Sequence, residues 1–370
     1  MDVKRIVLAN KRHATVLSND LIRCVIEDVG SRVLELSTLT KDGGLINAHS
    51  HHGNLICFCD NSHKEFSIDS PLHSWSVLKY GNDDATGALW VLSQEVHTKE
   101  SNNTIARKID MVLPKHPVLY TSFIIESMSD EDLPIYLAYQ NTLSSPFLEP
   151  GCVINVSSDE FITYGESTHS RLKPSSEFSH LSKAPHVQEG SVNLSIVPTA
   201  IGSIDVIAGR LPSDASLGYA SVTNPHQQMI YFTFFEGPEA ISESDNEIRL
   251  NFNNLVMDYR GITEFGGDYN FSLNIGSSLA YFHEGGSSSP EKEELLGLPT
   301  FTTLKSKERR SFRYATAFSQ YSSSKMNKGF DSIEQVVEGL VLNKGKNYTF
   351  IEADSTFHFL KELEKALLEE

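Results

Sequence analysis

Cysteine is scarce in this sequence, which has four among its 370 residues. Cys24, Cys57, Cys59 and Cys152 are too few and too scattered for a disulfide framework in a chain of this length. A single residue separates Cys57 from Cys59, whereas zinc knuckles and redox pairs need two between their cysteines. We therefore expect four reduced thiols and no cysteine-based metal site.

The sequence also lacks long apolar runs, and its basic residues are fewer than its acidic ones. No stretch of about 18 apolar residues occurs, and no apolar run follows the charged start of residues 1–5. The 31 lysines and arginines are outnumbered by 48 aspartates and glutamates, which gives a formal net charge of −17. A protein that binds nucleic acids or anionic membranes needs a positively charged surface patch. We expect a cytoplasmic protein with no nucleic-acid or membrane partner and with a neutral or cationic ligand.

The motifs of several enzyme classes are missing as well. The sequence has no Gly-x-Ser-x-Gly elbow, no phosphate-cradling glycine-rich loop, no Rossmann fingerprint and no solenoid repeat. His49 and His51 could share one strand face as metal ligands, but no carboxylate stands at a supporting spacing. These features favour a protein without a cofactor or a metal site.

Short strand patterns fill most of the chain. Alternating apolar residues recur between residues 14 and 40 and then at hairpin intervals from residue 89 to residue 275, separated by turn-forming residues. Regular short strands without intervening helices predict an all-β fold, a large antiparallel β-sandwich.

The C-terminal part has a different pattern. Apolar residues recur at helical spacing in residues 333–340 and 355–368, which predicts two amphipathic helices. We therefore predict a β-sandwich over residues 1–325 that carries the functional site, and a helical extension over residues 326–370 that packs on the sandwich.

One loop places a histidine just before a tryptophan. Residues 70–75 are Ser-Pro-Leu-His-Ser-Trp, and the proline-started turn predicts that His73 lies at the head of a strand. An imidazole gives or takes a proton near neutral pH, and the face of Trp75 offers a surface to the C–H side of a sugar ring. This pattern indicates a sugar site. A structural role for His73 in the loop is the alternative interpretation.

Several short sequence motifs follow one another in a characteristic order along the chain. They are Gly30 to Leu36, Pro71 to Trp75, Trp90 to Leu92, Val118 to Ile135 and Ala138 to Leu143. This order resembles that of galactose-mutarotase-like (aldose 1-epimerase) proteins over about residues 14–320. The resemblance implies the large sandwich of that family. It also implies an isomerase of carbohydrate metabolism that interconverts the anomers of a monosaccharide or sugar derivative without a cofactor.

The resemblance also implies roles for single residues. His73 matches the general acid of the family, and the late glutamate that acts as base is matched by Glu284. Glu264 and Glu236 are alternative bases. The side chains that we expect to contact the substrate are Gln140, Asn141, Trp75, Arg32 and His226, although His226 also fits a polar turn.

Two positions depart from the family pattern. Ser74 replaces the glycine of the Leu-His-Gly phrase, and Gln140-Asn141 stands where the family has an Asn-His phrase. An amide can hydrogen-bond a sugar hydroxyl but cannot carry a proton. The alternative function is therefore a non-catalytic carbohydrate-binding or regulatory protein, and a carbohydrate lyase or hydrolase is a third hypothesis. A homodimer is compatible with the sequence.

Overall fold

A computed structural model describes residues 1–39, 43–60, 75–97, 104–163, 169–200, 202–241, 246–261, 272–278 and 294–368. These ranges consist mainly of β-strands. In chain order the strands are β1 Asp2–Val7, β2 His13–Ser18, β3 Ile22–Glu27, β4 Val33–Leu39, β5 Leu45–Asn47, β6 His49–Asp60, β7 Ser76–Asn82, β8 Leu89–His97, β9 Thr104–Val112, β10 Val118–Ser127, β11 Leu133–Leu143, β12 Val153–Val156, β13 Glu160–Thr163, β14 Glu177–Phe178, β15 Ala184–Pro185, β16 Ser191–Val192, β17 Ile204–Arg210, β18 Leu217–Asn224, β19 Met229–Glu236, β20 Phe252–Asp258, β21 Ser272–Ser278, β22 Glu294–Leu295, β23 Leu298–Pro299, β24 Thr302–Leu304, β25 Arg309–Gln320, β26 Ser332–Val336, β27 Gly339–Lys344 and β28 Asn347–Glu352. An α-helix, α1, spans His358–Leu368, and short 3₁₀ turns lie at Leu181–Lys183 and Ser324–Met326.

Two large antiparallel sheets form the body of the molecule. The 13-stranded sheet has the order β1-β2-β3-β4-β6-β11-β21-β20-β17-β13-β14, with β5 beside β4 and β24 beside β11. The 8-stranded sheet has the order β12-β18-β19-β25-β10-β9-β8-β7. The predicted all-β antiparallel sandwich is confirmed. Within the described ranges, no helix is long and apolar enough to cross a membrane.

The core lies between the two sheets, and strand alternation decides which side chains enter it. We define the inner face of the 13-stranded sheet as the face turned to the 8-stranded sheet, and the outer face as the opposite one. On β11 the odd-numbered residues, such as Leu137 and Tyr139, share a buried cluster with Phe312 and Tyr314 of β25. The Tyr139 ring stacks on Tyr314 with 4.0 Å between the ring centroids. The even-numbered residues of β11 therefore face outward.

The C-terminal tail covers the other side of the 8-stranded sheet. Leu340, Ile351 and Leu360 from the tail lie in one buried cluster with Tyr120 and Phe234 of the sheet. Strands such as β19 are therefore buried on both faces, which explains the unbroken apolar run of this strand.

The structure corrects one of the two predicted helices. Residues 355–368 contain α1, as expected, but residues 333–340 lie in β26 and at the start of β27, within a three-stranded antiparallel sheet. The helical spacing of apolar residues in that segment comes from two strands joined by a turn. The division at residue 325 remains a prediction.

Candidate functional site

A row of paired residues crosses the centre of the 13-stranded sheet. Gln140 of β11 pairs with Gly276 of β21, and Gly276 pairs in turn with Asn254 of β20. The neighbours of these residues along each strand, Tyr139 and Leu255, are core residues of the inner face. Gln140 and Asn254 therefore stand on the outer face, on either side of a residue that has no side chain.

A serine completes this polar surface. Ser278 lies two residues beyond Gly276 on the same face and accepts a hydrogen bond from Asn254 Nδ2. Both residues are buried. We call Gln140, Gly276, Asn254 and Ser278 the amide floor. None of these side chains titrates near neutral pH, so the floor can bind hydroxyl groups but cannot itself exchange protons with them.

Gln140 differs from the rest of the floor in its hydrogen bonding. Its residue surface is only 4% exposed. Its carboxamide makes no side-chain hydrogen bond to any residue in the described ranges. Gln140 therefore has amide donors and an acceptor that no other side chain of the described ranges occupies.

Two strand ends next to β11 fix where the predicted catalytic segments begin. On one side of β11, Asp60 at the end of β6 pairs with Ile135. On the other side, Ser278 at the end of β21 pairs with Ala138. Both strand ends lie at the same end of the sheet. His73 and Glu284, the predicted acid and base, follow these two strand ends in the sequence and lie outside the described residues, as does Glu264.

Asn141 does not belong to this surface. It follows Gln140 on a strand, so its side chain points to the inner face, where it is fully buried. Its Oδ1 accepts a hydrogen bond of 2.6 Å from Asn54 Nδ2, and Tyr314 donates a hydrogen bond of 2.9 Å to Asn54 Oδ1. Gln140 and Asn141 therefore lie on opposite faces of the sheet, and a substrate contact of Asn141 stays a prediction.

Trp75 is also placed in the core. It is 7% exposed, and its ring lies against Phe123 with 6.4 Å between the centroids. Little of the indole surface is left for a ligand. This burial argues against the substrate contact that we predicted for Trp75.

Arg32 is engaged in an ion-pair network. Its Nη2 lies 2.6 Å from Glu27 Oε2, and Arg12 Nη1 lies 3.2 Å from the other oxygen of Glu27. The Glu27 side chain is almost fully buried. Because breaking a buried pair leaves an uncompensated charge, this arrangement gives Arg32 a structural role. A role in substrate binding stays a prediction.

His226 and Glu236 lie on the other sheet. His226 is in the turn between β18 and β19, is 85% exposed at its side chain, and has its Nδ1 3.4 Å from Glu149 Oε1. Glu236 ends β19 and accepts a 2.7 Å hydrogen bond from Lys361 of helix α1. Burial raises the pKa of the Glu236 carboxyl. The position of His226 fits a polar turn residue. Glu236 links helix α1 to the sheet through its hydrogen bond with Lys361.

Sequence reasoning missed Asn254 and Ser278. A signal for the first was present, because two asparagines interrupt the otherwise apolar start of β20. No comparable signal marks Ser278, whose role follows only from its pairing across the sheet. In the described ranges, no group of three or more His, Cys, Asp or Glu side chains is placed to hold a metal ion.

Comparison with known proteins identifies the fold. The sequence matches no protein-family model and no curated protein. Among solved structures, a galactose mutarotase-like protein from Clostridium acetobutylicum superposes with a TM-score of 0.58 at 14% identity, covering 86% of this chain and 98% of that one. A galactose mutarotase related enzyme from Lactobacillus acidophilus gives 0.52 at 9% identity, with coverages of 84% and 98%.

A third structure extends the comparison to an animal protein. The GalM/aldose epimerase homologue from C. elegans gives a TM-score of 0.51 at 9% identity, covering 87% of this chain and all of that one. At such identities the similarity establishes the fold alone. The chain has the galactose mutarotase-like β-sandwich fold, as the order of its sequence phrases predicted.

Proposed function

We propose that the outer face of the 13-stranded sheet binds a monosaccharide or sugar derivative, and that the protein interconverts its anomers as an aldose 1-epimerase-like isomerase. The observation that carries this proposal is Gln140, a buried residue of the outer face whose carboxamide makes no side-chain hydrogen bond to any residue in the described ranges. A sugar hydroxyl both donates and accepts hydrogen bonds, so a sugar would satisfy this amide without a change of charge. Asn254 and Ser278 would add further polar contacts on the same floor.

The chemistry needs two groups of different proton affinity beside one sugar ring. Glu284 would take the proton of the C1 hydroxyl while a protonated His73 gives its proton to the ring oxygen. The bond between C1 and the ring oxygen then breaks, and C1 becomes an aldehyde. After rotation about C1–C2, the former ring oxygen adds to the other face of the carbonyl. His73 takes back the proton of that oxygen, and Glu284 returns a proton to the C1 oxygen.

The strand ends support this pairing of acid and base. Glu284 is six residues beyond Ser278 of the amide floor, so the chain cannot carry it more than about 20 Å from that serine. The segment with His73 begins on the other side of β11, at the same end of the sheet. The chain thus leaves the sheet on both sides of β11 before it reaches the proposed acid and base, which supports their action on a single sugar ring bound over the floor.

Polarimetry tests the proposal. Freshly dissolved α-anomers of several hexoses and pentoses are followed with and without protein. We expect the rotation to relax faster in proportion to protein concentration for at least one sugar, and we expect His73→Gln and Glu284→Gln to lower kcat by about 10²–10⁴. His180→Gln, at an exposed position, is the matched control and should retain activity. Relaxation at the buffer rate for every sugar would refute the enzymatic proposal.

A second candidate function is a carbohydrate-binding protein without catalysis. The observation that favours it is the amide at position 140, where the resembling family has a histidine, because an amide cannot transfer a proton. For this function, a sugar raises the melting temperature through preferential binding to the folded state. The same sugar would then mutarotate at its uncatalysed rate.

A further inference from the structure

The three-stranded sheet of the C-terminal tail, β26–β28, has one buried face and one exposed face. Leu340 and Ile351 point to the 8-stranded sheet and lie in its buried cluster. Because side chains alternate along a strand, the residues next to these two point away from the sandwich. We call this exposed surface the tail face. Its members, which share one side of the strand register, are Glu334, Val341, Asn343, Tyr348 and Phe350.

Two aromatic rings stand on the tail face. Tyr348 is 66% exposed and Phe350 is 44% exposed. The ring of Phe350 reaches over Gly339, where a Cβ atom would lie 2.9 Å from two of the ring carbons. The glycine therefore leaves room for the ring to lie against the sheet while much of its surface stays open to solvent. Exposed apolar patches with a polar rim are typical of interaction sites.

An amide and a carboxylate lie beside the two rings. Asn343 Nδ2 donates a 3.0 Å hydrogen bond to Glu334 Oε1. Asn343 is directly opposite Tyr348 in the strand register, and Val341 lies between Glu334 and Phe350. Neighbouring strands are about 4.8 Å apart, so these polar groups border the rings. Amides and carboxylates hydrogen-bond hydroxyl groups well.

We propose that the tail face binds a neutral glycan chain, at a site separate from the amide floor. The rings offer apolar surface to the C–H sides of sugar units, and Asn343 and Glu334 bind hydroxyl groups. Tyr348 and Phe350 are two residues apart on one strand, or about 7 Å, so adjacent units of a chain can contact both rings. A monosaccharide would contact only one of them.

The charge around the tail face selects a neutral ligand. Glu334 and Glu338 are both exposed, and the whole chain has a formal net charge of −17. An acidic glycan would be repelled by these charges. Stacking the tail faces of two copies would bring the carboxylates of both copies together. A neutral chain of hydroxyl-bearing units meets neither obstacle.

Native gel electrophoresis through gels that contain hydroxyethylcellulose, glucomannan or amylopectin tests the proposal. We expect at least one of these neutral polysaccharides to retard the wild type, and Tyr348→Ala to weaken that affinity by about tenfold or more. Tyr348→Phe should bind like the wild type because it keeps the ring. Tyr80→Ala, which removes a similarly exposed tyrosine from β7, is the matched control and should also bind normally.

A second variant and a second measurement keep the outcomes separate. Phe350→Ala should weaken binding as well, with its melting temperature recorded because the ring covers Gly339. Gln140→Met should bind the polysaccharide normally, whatever it does to the amide floor, so failure of the proposed function leaves this test intact. Retardation that Gln140→Met abolishes and Tyr348→Ala does not would overturn the inference.

Two further results would also overturn it. One is the absence of retardation in all three polysaccharides. The other is self-association of the wild type in sedimentation velocity that Tyr348→Ala abolishes, which would show that a second copy of this chain covers the tail face.

Discussion

Gln140 and Asn141 are neighbours on one strand, and both are buried carboxamides, yet they differ in their partners. Asn141 faces the inner side and is bonded to Asn54, which in turn accepts a bond from Tyr314. Gln140 faces the outer side and has no such partner in the described ranges. The inner amide thus takes part in hydrogen bonds that join the two sheets, whereas the outer amide of Gln140 is available to a ligand.

A second polar cluster lies between the two sheets, on strands of the 8-stranded sheet, and strengthens the contrast. Lys108 Nζ lies 3.0 Å from Asp110 Oδ2 and donates a 2.7 Å hydrogen bond to the carbonyl oxygen of Ser31. Thr121 donates a 2.8 Å hydrogen bond to the other oxygen of Asp110. All these groups are almost fully buried. Charges are tolerated between the sheets because each has a partner of opposite charge and further hydrogen bonds.

The largest effect is expected between the two sheets, from Lys108→Met. Removing the lysine leaves the Asp110 carboxylate buried and unpaired, which should lower the free energy of unfolding by about 3–5 kcal/mol. Burial already raises the pKa of Asp110, and the lysine opposes this rise. A folded-state pKa above the unfolded one means that stability increases as pH falls through it. Urea unfolding should therefore show a smaller loss at pH 5 than at pH 8.

An exposed ion pair provides the control for that variant. Lys344→Met removes the partner of Asp331, which is 2.6 Å from Lys344 Nζ and well exposed. We expect a much smaller change in the free energy of unfolding than in Lys108→Met, because exposed pairs contribute little. Equal losses in the two variants would contradict the structural role of the inner pair.

His49 should make stability depend on pH. Burial lowers the pKa of His49 to about 4, below the value of about 6.5 expected in the unfolded chain. The unfolded state therefore binds more protons between these values, so the contribution is complete above pH 6.5 and is lost as pH falls towards 4. We expect a loss of about 3 kcal/mol over this range. His49→Gln should flatten this part of the pH profile of unfolding free energy; an unchanged slope would show that another group titrates.

The neighbouring amides allow a direct comparison of smaller effects. Asn141→Leu leaves Asn54 Nδ2 without its acceptor and should lower the free energy of unfolding by about 1–3 kcal/mol. Gln140→Met removes an amide that bonds to no other side chain of the described ranges and should leave the free energy of unfolding nearly unchanged, while sugar affinity falls at least tenfold. Denaturant titration measures both variants. A loss of stability in Gln140→Met equal to that in Asn141→Leu would remove the distinction between the two faces.

The sequence predicted the sandwich well because its strands alternate regularly and its turns are marked by Gly, Pro, Asn and Asp. It did not separate Gln140 from Asn141, although alternation places neighbours on opposite faces once the strand is known. It also could not show that the Trp75 indole enters the core, because an apolar residue at a strand head fits either side of a sheet. Which face is inner depends on the partner sheet, and that is a tertiary property.

The C-terminal tail and strand β6 show features that the local sequence pattern did not predict. Residues 333–340 have apolar side chains at helical spacing, but Gly339 permits a close strand pairing there, since a Cβ atom would lie 2.1 Å from the Ile351 carbonyl oxygen. The glycine was the available signal for a turn between strands. In β6, residues 50–53 stand opposite the single residue Thr142, and His49 and Gly53 both lie against the Val33 carbonyl. These are tertiary features that a local sequence pattern does not show.

The side-chain amide resonances of Gln140 give the most direct test of the central claim, that the outer face holds a sugar. In ¹⁵N-labelled protein these resonances are assigned by their loss in Gln140→Met. We predict that a sugar that raises the melting temperature also shifts the Gln140 NH₂ signals and leaves those of Asn141 in place. Sugar binding without a shift at Gln140, or no binding by any sugar tested, would contradict the account.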